Sequence, residues 1–262
     1  MTDNAAPSFG ALIIGDELLS GRREDKHLGK VLELLKARGL RLASVRYVGD
    51  ERPRLVQTLR ESFAGCDIVF SFGGIGATPD DYTRQCVAEA AGAPLAIHPE
   101  GQAIVEGRFG AEAYPHRINM VNLPAGSRLV PNPVNQMPGF SFGHLHCVPG
   151  FPSMAWPMVE WVLDTLYPEL VVREPDTEEG FIALKAREGD LIDLMQATVA
   201  RYPALRFSSL PSFGSDALPM MHIEFGLSGA PALVRIAIAE LRRAVSDLGY
   251  ETIDKPAPAE EN

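Results

Sequence analysis

Apolar positions in the first two-thirds of the chain fall into two alternating kinds of run. Phe9–Ile14 is continuously apolar, as expected of a strand covered on both faces. Lys26–Arg38 places Leu28, Val31, Leu32 and Leu35 at helical spacing, with Gly39 as a C-terminal stop. The alternation repeats. Leu42–Val48 reads as a strand, Arg52–Phe63 as a helix carrying Leu55, Val56 and Leu59, Asp67–Phe72 as a buried strand, and Asp81–Ala91 as a helix ended by Gly92. Strands alternating with helices predict an α/β fold, with a mainly parallel sheet and helices on both faces.

Residues 93–140 lose this regularity. Pro115, Pro124, Pro131, Pro133 and Pro138 punctuate them, which predicts loops around short elements. His144–Val148 reads as a strand, Pro149–Pro152 as a turn, and Ser153 as the cap of a helix carrying Trp156 to Leu166. Composition shifts at Tyr167–Thr177, where Pro168 and Pro175 flank acidic residues, and a domain boundary is expected there. Beyond it lie a strand at Gly180–Ala186, a helix at Asp190–Arg201, strands at Leu205–Pro211 and Met220–Leu227, and a helix at Ala230–Leu248. The expected organisation is an α/β domain over 1–167, a small α+β unit of βαββα order over 178–252, and a disordered Pro/Ala/Glu-rich tail over 253–262. Exposed strands in the small unit could pair with a second copy, so a homodimer is expected.

Composition narrows the partners. Of 262 residues, 46% are hydrophobic and 22% charged, enough for one full core and a smaller second one. The formal net charge is -10, and residues 178–250 hold seven Lys/Arg against nine Asp/Glu. That balance argues against a nucleic-acid partner, which needs clustered bases against phosphates. Cys66, Cys86 and Cys147 form no CxxC pair, so neither a zinc knuckle nor a disulfide framework is indicated. The start carries no basic segment followed by a long apolar run, and no stretch approaches the length of a membrane span. A cytoplasmic protein without a membrane partner is expected.

The strongest chemical signal is Phe72-Gly-Gly-Ile-Gly-Ala-Thr-Pro-Asp-Asp-Tyr-Thr83, between a buried strand and a helix. Gly73, Gly74 and Gly76 let backbone N–H groups converge on an anion, and the following helix adds its dipole. Thr78 and Thr83 offer hydroxyl donors. Asp80 and Asp81 repel phosphate, so acids beside a phosphate loop point to a divalent cation with oxygen ligands. The plainer reading is a strand–helix turn capped by Asp80; the doubled acid and flanking threonines weigh against it. A second signal, Ile14-Gly-Asp-Glu-Leu-Leu-Ser-Gly21, follows the first strand. Ligands of open α/β sheets bind outside the carboxyl ends of strands, so Gly15, Asp16, Glu17 and Ser20 are expected near the glycine loop. Gly49-Asp50 alone needs no function. Pro149-Gly150-Phe-Pro152 either presents a helix N-terminus to a phosphate or makes a rigid turn. His144-Leu-His146 could be a metal pair on one strand face, yet no third ligand lies within spacing.

Ile14-Gly-Asp-Glu-Leu-Leu-Ser-Gly-Arg, Val48-Gly-Asp50, Gly73–Thr83, Leu123-Pro-Ala-Gly126, Asn132-Pro-Val and Pro149-Gly-Phe-Pro152 occur in order. Together, over about residues 9–166, they resemble the amino-terminal part of competence/damage-inducible proteins of the molybdopterin-binding-domain family. The small unit is similar to the one that follows there and in the front half of eukaryotic FAD synthases. The resemblance implies a three-layer α/β/α sandwich. It also implies a phosphorylated ligand, either molybdopterin or a nucleotide pyrophosphate such as ADP-ribose or FAD hydrolysed with a divalent metal (Mg, Mn or Co). It assigns the ligand role to Gly73, Gly74, Gly76, Thr78, Asp80, Asp81 and Thr83, and more weakly to Asp16, Glu17, Ser20 and Asp50. Asp80 and Asp81 would be catalytic, and would hold the metal with help from Asp16 or Asp50. Two departures bear on the substrate. Ala77 stands where proline is usual, and Gln136 and Met137 are expected to narrow the pocket. The amidase and adenylyl-transferase domains of such relatives are not expected here. A metal-dependent nucleotide pyrophosphatase is the leading expectation, against a non-catalytic molybdopterin-binding protein linked to molybdenum cofactor metabolism or a regulatory module with a decayed site.

Overall fold

The computed structural model describes residues 8–65, 67–172, 174–214 and 218–255. Cys66, the first seven residues and residues 256–262 of the expected tail lie outside the described residues. The chain divides into a unit ending at Arg173 and a unit beginning at Glu174.

In the first unit, β1 (Phe9–Ile14), β2 (Leu42–Val48), β3 (Ile68–Phe72), β6 (Arg128–Val130), β7 (Gly139–Phe142) and β8 (Leu145–Val148) form one sheet in the order β2-β1-β3-β8-β7-β6. β2, β1, β3 and β8 run parallel; β7 pairs antiparallel with β8, and β6 antiparallel with β7. Every residue of β1, β3 and β8 is buried, because both faces of the sheet are covered. On one face Phe9, Ala11, Ile13 and Phe70 pack on α2 (His27–Lys36) and α6 (Pro152–Leu166). On the other, Leu12, Ile14 and Val69 pack on α3 (Arg52–Ala64) and α4 (Thr83–Ala91). The result is three layers, α/β/α. A short α1 (Asp16–Leu19) follows β1 directly.

Several expectations shift. In α2 the buried face is Val31, Leu34 and Leu35, while Leu32 is 47% exposed, so the apolar stripe is rotated from the predicted one. The helix α6 starts at Pro152 rather than after a Ser153 cap, since proline is suited to the first turn, where no N–H is needed. The irregular segment contains an eleven-residue helix, α5 (Pro99–Phe109), and a ribbon of β4 (Leu95–Ile97) with β5 (Asn122–Pro124). This helix writes no apolar stripe in the sequence, because it buries only Gly101 and Val105. Its start is capped by His98, whose Nδ1 accepts the Gly101 N–H at 3.3 Å.

The second unit is a four-stranded sheet, β10-β11-β9-β12, from β9 (Thr177–Leu184), β10 (Arg206–Ser212), β11 (His222–Gly229) and β12 (Thr252–Asp254), with α7 (Glu188–Arg201) and α8 (Pro231–Asp247). Its core joins Phe181, Ile223 and Phe225 to Leu191, Val234 and Leu241. β12 corrects the expected βαββα order to βαββαβ. It pairs Ile253 with Ile182 and Asp254 with Phe181, so residues 253 and 254, placed in the tail by composition, complete the sheet. No helix among the described residues is long and apolar enough to cross a membrane.

Candidate functional site

The glycine loop leaves β3 at the carboxyl end of the parallel sheet. Gly73 adopts φ 102° and Gly74 φ 67°, and the Gly73 N–H donates to Val148 O at 3.0 Å. A Cβ on Gly73 would stand 2.8 Å from Ile14 O, and one on Gly74 would collide with Thr83 Oγ1, so both positions exclude side chains. Thr83 is fully buried. Its hydroxyl donates to Gly73 O at 3.0 Å, and its N–H to Gly74 O at 3.0 Å. Gly73 and Thr83, expected to touch the ligand, instead tie the loop to α4.

The outer half of the loop is held by its own acid. Asp81 Oδ2 accepts the Thr78 N–H at 2.8 Å and also the Thr78 hydroxyl. The Thr78 side chain and the backbone N–H of Asp80 hold the exposed Asp80 carboxyl below the ordinary range. From α4, the buried Arg84 donates through Nη1 to Ile75 O; burial lowers its pKa, against the field of Asp81. Arg84 was missed in the sequence because a basic residue in a helix reads as solvated surface.

These fixed points leave donors over. Among the described residues, the N–H groups of Gly74, Ile75, Gly76 and Ala77 donate to no protein acceptor. All four residues line one cavity of about 420 Å³, with Thr78, Asp81, Gly150 and an apolar wall that includes Met137, Phe151 and Met154. Met137 lines this cavity, whereas Gln136, at φ 64°, is not among its lining residues. Consecutive unpaired amides on residues that line a cavity can serve as an anion cradle.

The acids after β1 and β2 meet one another. The Asp16 N–H donates to Asp50 Oδ2 at 3.0 Å, and the Asp50 N–H to Asp16 Oδ1 at 3.1 Å. Burial, together with the charges of Asp16, Glu17 and Asp80, pushes the Asp50 carboxyl up against the opposing bond from Asp16. Gly15 donates to Val48 O at 3.0 Å, and Ser20 donates to Glu17 O at 3.3 Å and accepts from Arg22, so neither is directed at the cradle. Among the described residues no three or more His, Cys, Asp or Glu side chains form a metal cage. The four expected ligands are thus split: Asp16, Asp50 and Asp80 share a field, while Asp81 is committed to Thr78. Such a donor set fits a hard cation held by one or two carboxylates and completed by phosphate oxygens and water.

A second cavity of about 320 Å³ lies across Gly150, with Glu17, Lys26, His27 and Phe72 in its wall. His27 is 6% exposed, stacks on Phe72 at 4.4 Å, and donates from Nε2 to Gly150 O at 3.1 Å. The His144/His146 metal pair is overturned. His144 Nε2 bonds Ser62 O at 3.1 Å, while His146 is held between Ser141 Oγ at 2.7 Å and Tyr167 OH at 2.8 Å.

Residues 10–169 match the family described as a probable molybdopterin binding domain. The chain belongs to the molybdopterin-binding-domain family. Its relatives place this domain in the type found in CinA-like proteins. One, from Citrifermentans bemidjiense, is 30% identical over 90% of this chain and 57% of its own length. Another, from Geobacter sp. strain M21, is 32% identical over 88% of this chain and 56% of its own. The chain therefore spans little more than half the length of either. A solved structure, the protein CinA with unknown function from Thermoplasma acidophilum, shares the fold. It superposes with a TM-score of 0.56 at 24% identity, covering 63% of this chain and 99% of that one.

Proposed function

We propose that the molybdopterin-binding domain of this chain is a divalent-metal-dependent nucleotide pyrophosphatase acting on compounds such as ADP-ribose or FAD. The observation that carries the reading is the row of unspent N–H groups at Gly74, Ile75, Gly76 and Ala77, four residues that line one cavity. The amides take the non-bridging phosphate oxygens and stabilise charge that develops on them. Asp80, with help from Asp50 or Asp16, would hold the cation (Mg, Mn or Co), which when bound would supply charge neutralisation and a hydroxide from its water. Asp81 and Arg84 keep the cradle open by fixing Thr78 and Ile75 O. The Met-rich wall excludes water from the phosphates.

A second reading, a phosphorylated pterin held without turnover, is favoured by the absence of a metal cage among the described residues and by the apolar wall. Thermal stabilisation by ADP-ribose, FAD and a pterin phosphate, each with and without Mg²⁺, Mn²⁺ or Co²⁺, separates the two. The first reading expects cation-dependent stabilisation and hydrolysis, with Asp80→Asn losing about a hundredfold in turnover. Cation-independent stabilisation by the pterin alone, without hydrolysis of any diphosphate, would sink it.

A further inference from the structure

A phosphate entering the cavity beside the glycine loop meets one charged side chain there, and that charge has the wrong sign. Among the described residues that line it, Asp81 alone is ionisable, and none is Lys or Arg. The carboxylate stands against the loop itself, because a Cβ on Gly76 would collide with Asp81 Oδ2. Four unspent amides and a full negative charge therefore share one wall, and the charge acts against the amides on any anion.

A charge of the opposite sign lies behind the loop. Arg84, on α4, is 3% exposed, and its guanidinium stays protonated although burial lowers its pKa. Among the described residues its one hydrogen bond runs from Nη1 to Ile75 O, and it forms no ion pair with a carboxylate. Asp81 reaches it only through its field, having committed Oδ2 to Thr78. A buried cation without an ion pair costs free energy, and a bound anion reduces that cost.

The bond to Ile75 O carries the charge into the cradle. The Ile75 carbonyl and the Gly76 N–H belong to one trans peptide unit, so that N–H points away from Arg84. A cationic donor on the carbonyl draws electron density from the nitrogen and strengthens the N–H as a donor. The Gly76 N–H is one of the four that no protein acceptor takes among the described residues.

We propose that Arg84 is a positioning residue that makes the cradle an anion site without a metal. Acting through the Ile75–Gly76 peptide, it offsets the Asp81 charge and lets the loop take a phosphate before any cation binds. The proposal rests on the cradle holding the phosphates. It separates anion binding, set by Arg84, from hydrolysis, which the proposed pyrophosphatase assigns to the cation.

The test is a titration of the full chain with inorganic pyrophosphate in EDTA, read by calorimetry and by the ¹⁵N resonances of the Gly74 and Gly76 amides. The wild type should bind, with both amides moving. Arg84→Gln should weaken binding about tenfold, the range of one hydrogen bond to a charged group. Arg84→Lys, which keeps the charge and a donor, should recover most of the affinity. Without ligand, Arg84→Gln should already move the Gly76 nitrogen upfield and leave Gly74 nearly unmoved, because only the Ile75–Gly76 peptide loses its polarising partner. Where neither variant folds, the Arg84 side-chain nitrogens of the wild type decide, and they should move with pyrophosphate in EDTA. Nitrogens that stay still there overturn the proposal, as does an Arg84→Gln protein that binds as tightly as the wild type or an Arg84→Lys protein that binds no better than Arg84→Gln. Amides that respond only after Mg²⁺ is added overturn it too, and leave the metal-dependent reading standing. Amides silent with and without Mg²⁺ remove the cradle, and both readings with it.

Discussion

Asp16 and Asp50 lock the ends of two neighbouring strands by trading places as donor and acceptor: each carboxylate accepts the other's backbone N–H, at 3.0 and 3.1 Å. Gly49 makes room for the exchange, because a Cβ there would collide with Asp16 Oδ1. The exchange satisfies two loop amides but sets two negative charges side by side, and Glu17 and Asp80 add theirs.

Asp50→Asn should therefore stabilise the domain while weakening cation binding. The amide oxygen still accepts the Asp16 N–H, and the repulsion is gone. Because the Asp50 carboxyl is pushed up in the folded state, its charge opposes folding at neutral pH. A melting temperature raised by about 1–2 °C at pH 7 is expected, with the gain vanishing at pH 3, where the wild-type carboxyl is itself largely protonated. A lowered melting temperature at pH 7 would show that the lock outweighs the repulsion.

Gly74→Ala should cost far more. The substitution forces a side chain into left-handed backbone and into the Thr83 hydroxyl, which already holds Gly73 O. A loss of about 2–4 kcal/mol is expected from strain and a displaced hydrogen bond together. Urea denaturation measures it; a loss below about 1 kcal/mol would mean that Thr83 rotates away freely.

Acid should weaken the first unit through His146. Burial, with smaller contributions from His144 and Arg128, lowers its pKa to about 3. The unfolded chain binds the proton at about pH 6.5, so stability is complete above that value and is lost as pH falls towards 3. Between pH 7 and pH 5 this group alone should cost about 2 kcal/mol. His146→Gln, compared at both pH values by urea denaturation, should lose that share of the acid sensitivity whatever its effect at pH 7. An unchanged difference between the two pH values would assign the sensitivity to other groups.

A fragment ending at Arg173 should fold by itself. The cores around Phe70 and Leu12 draw only on residues before that point, and the core around Phe225 only on residues after it. Both tryptophans, Trp156 and Trp161, lie in the first unit. The fragment should therefore reproduce the tryptophan emission of the full chain and unfold cooperatively. A broad, non-cooperative transition would show that the second unit is needed for the first to fold.

The amino-acid sequence by itself determined the parallel strands, because β1 and β3 are buried on both faces and so carry nearly continuous apolar runs, broken in β3 at Ser71. It also located the glycine loop and its paired acids, since backbone freedom at Gly73, Gly74 and Gly76 is a property of residue type. It could not reveal α5, which has too few buried positions to write a period, or β12, whose three residues become a strand only by pairing with β9. Within the site, tertiary structure decided which groups are free to act. Thr83 and Thr78 carry the same hydroxyl, yet one is consumed by Gly73 O at the root of the loop and the other shares a carboxylate at the cavity rim. Arg84 and His27 look like surface residues in the sequence and are buried because Ile75 O and Gly150 O wait for their donors. A side chain's direction depends on neighbours that the sheet order brings together from far along the chain. The chemistry of each residue is therefore local, and its availability is set by the fold.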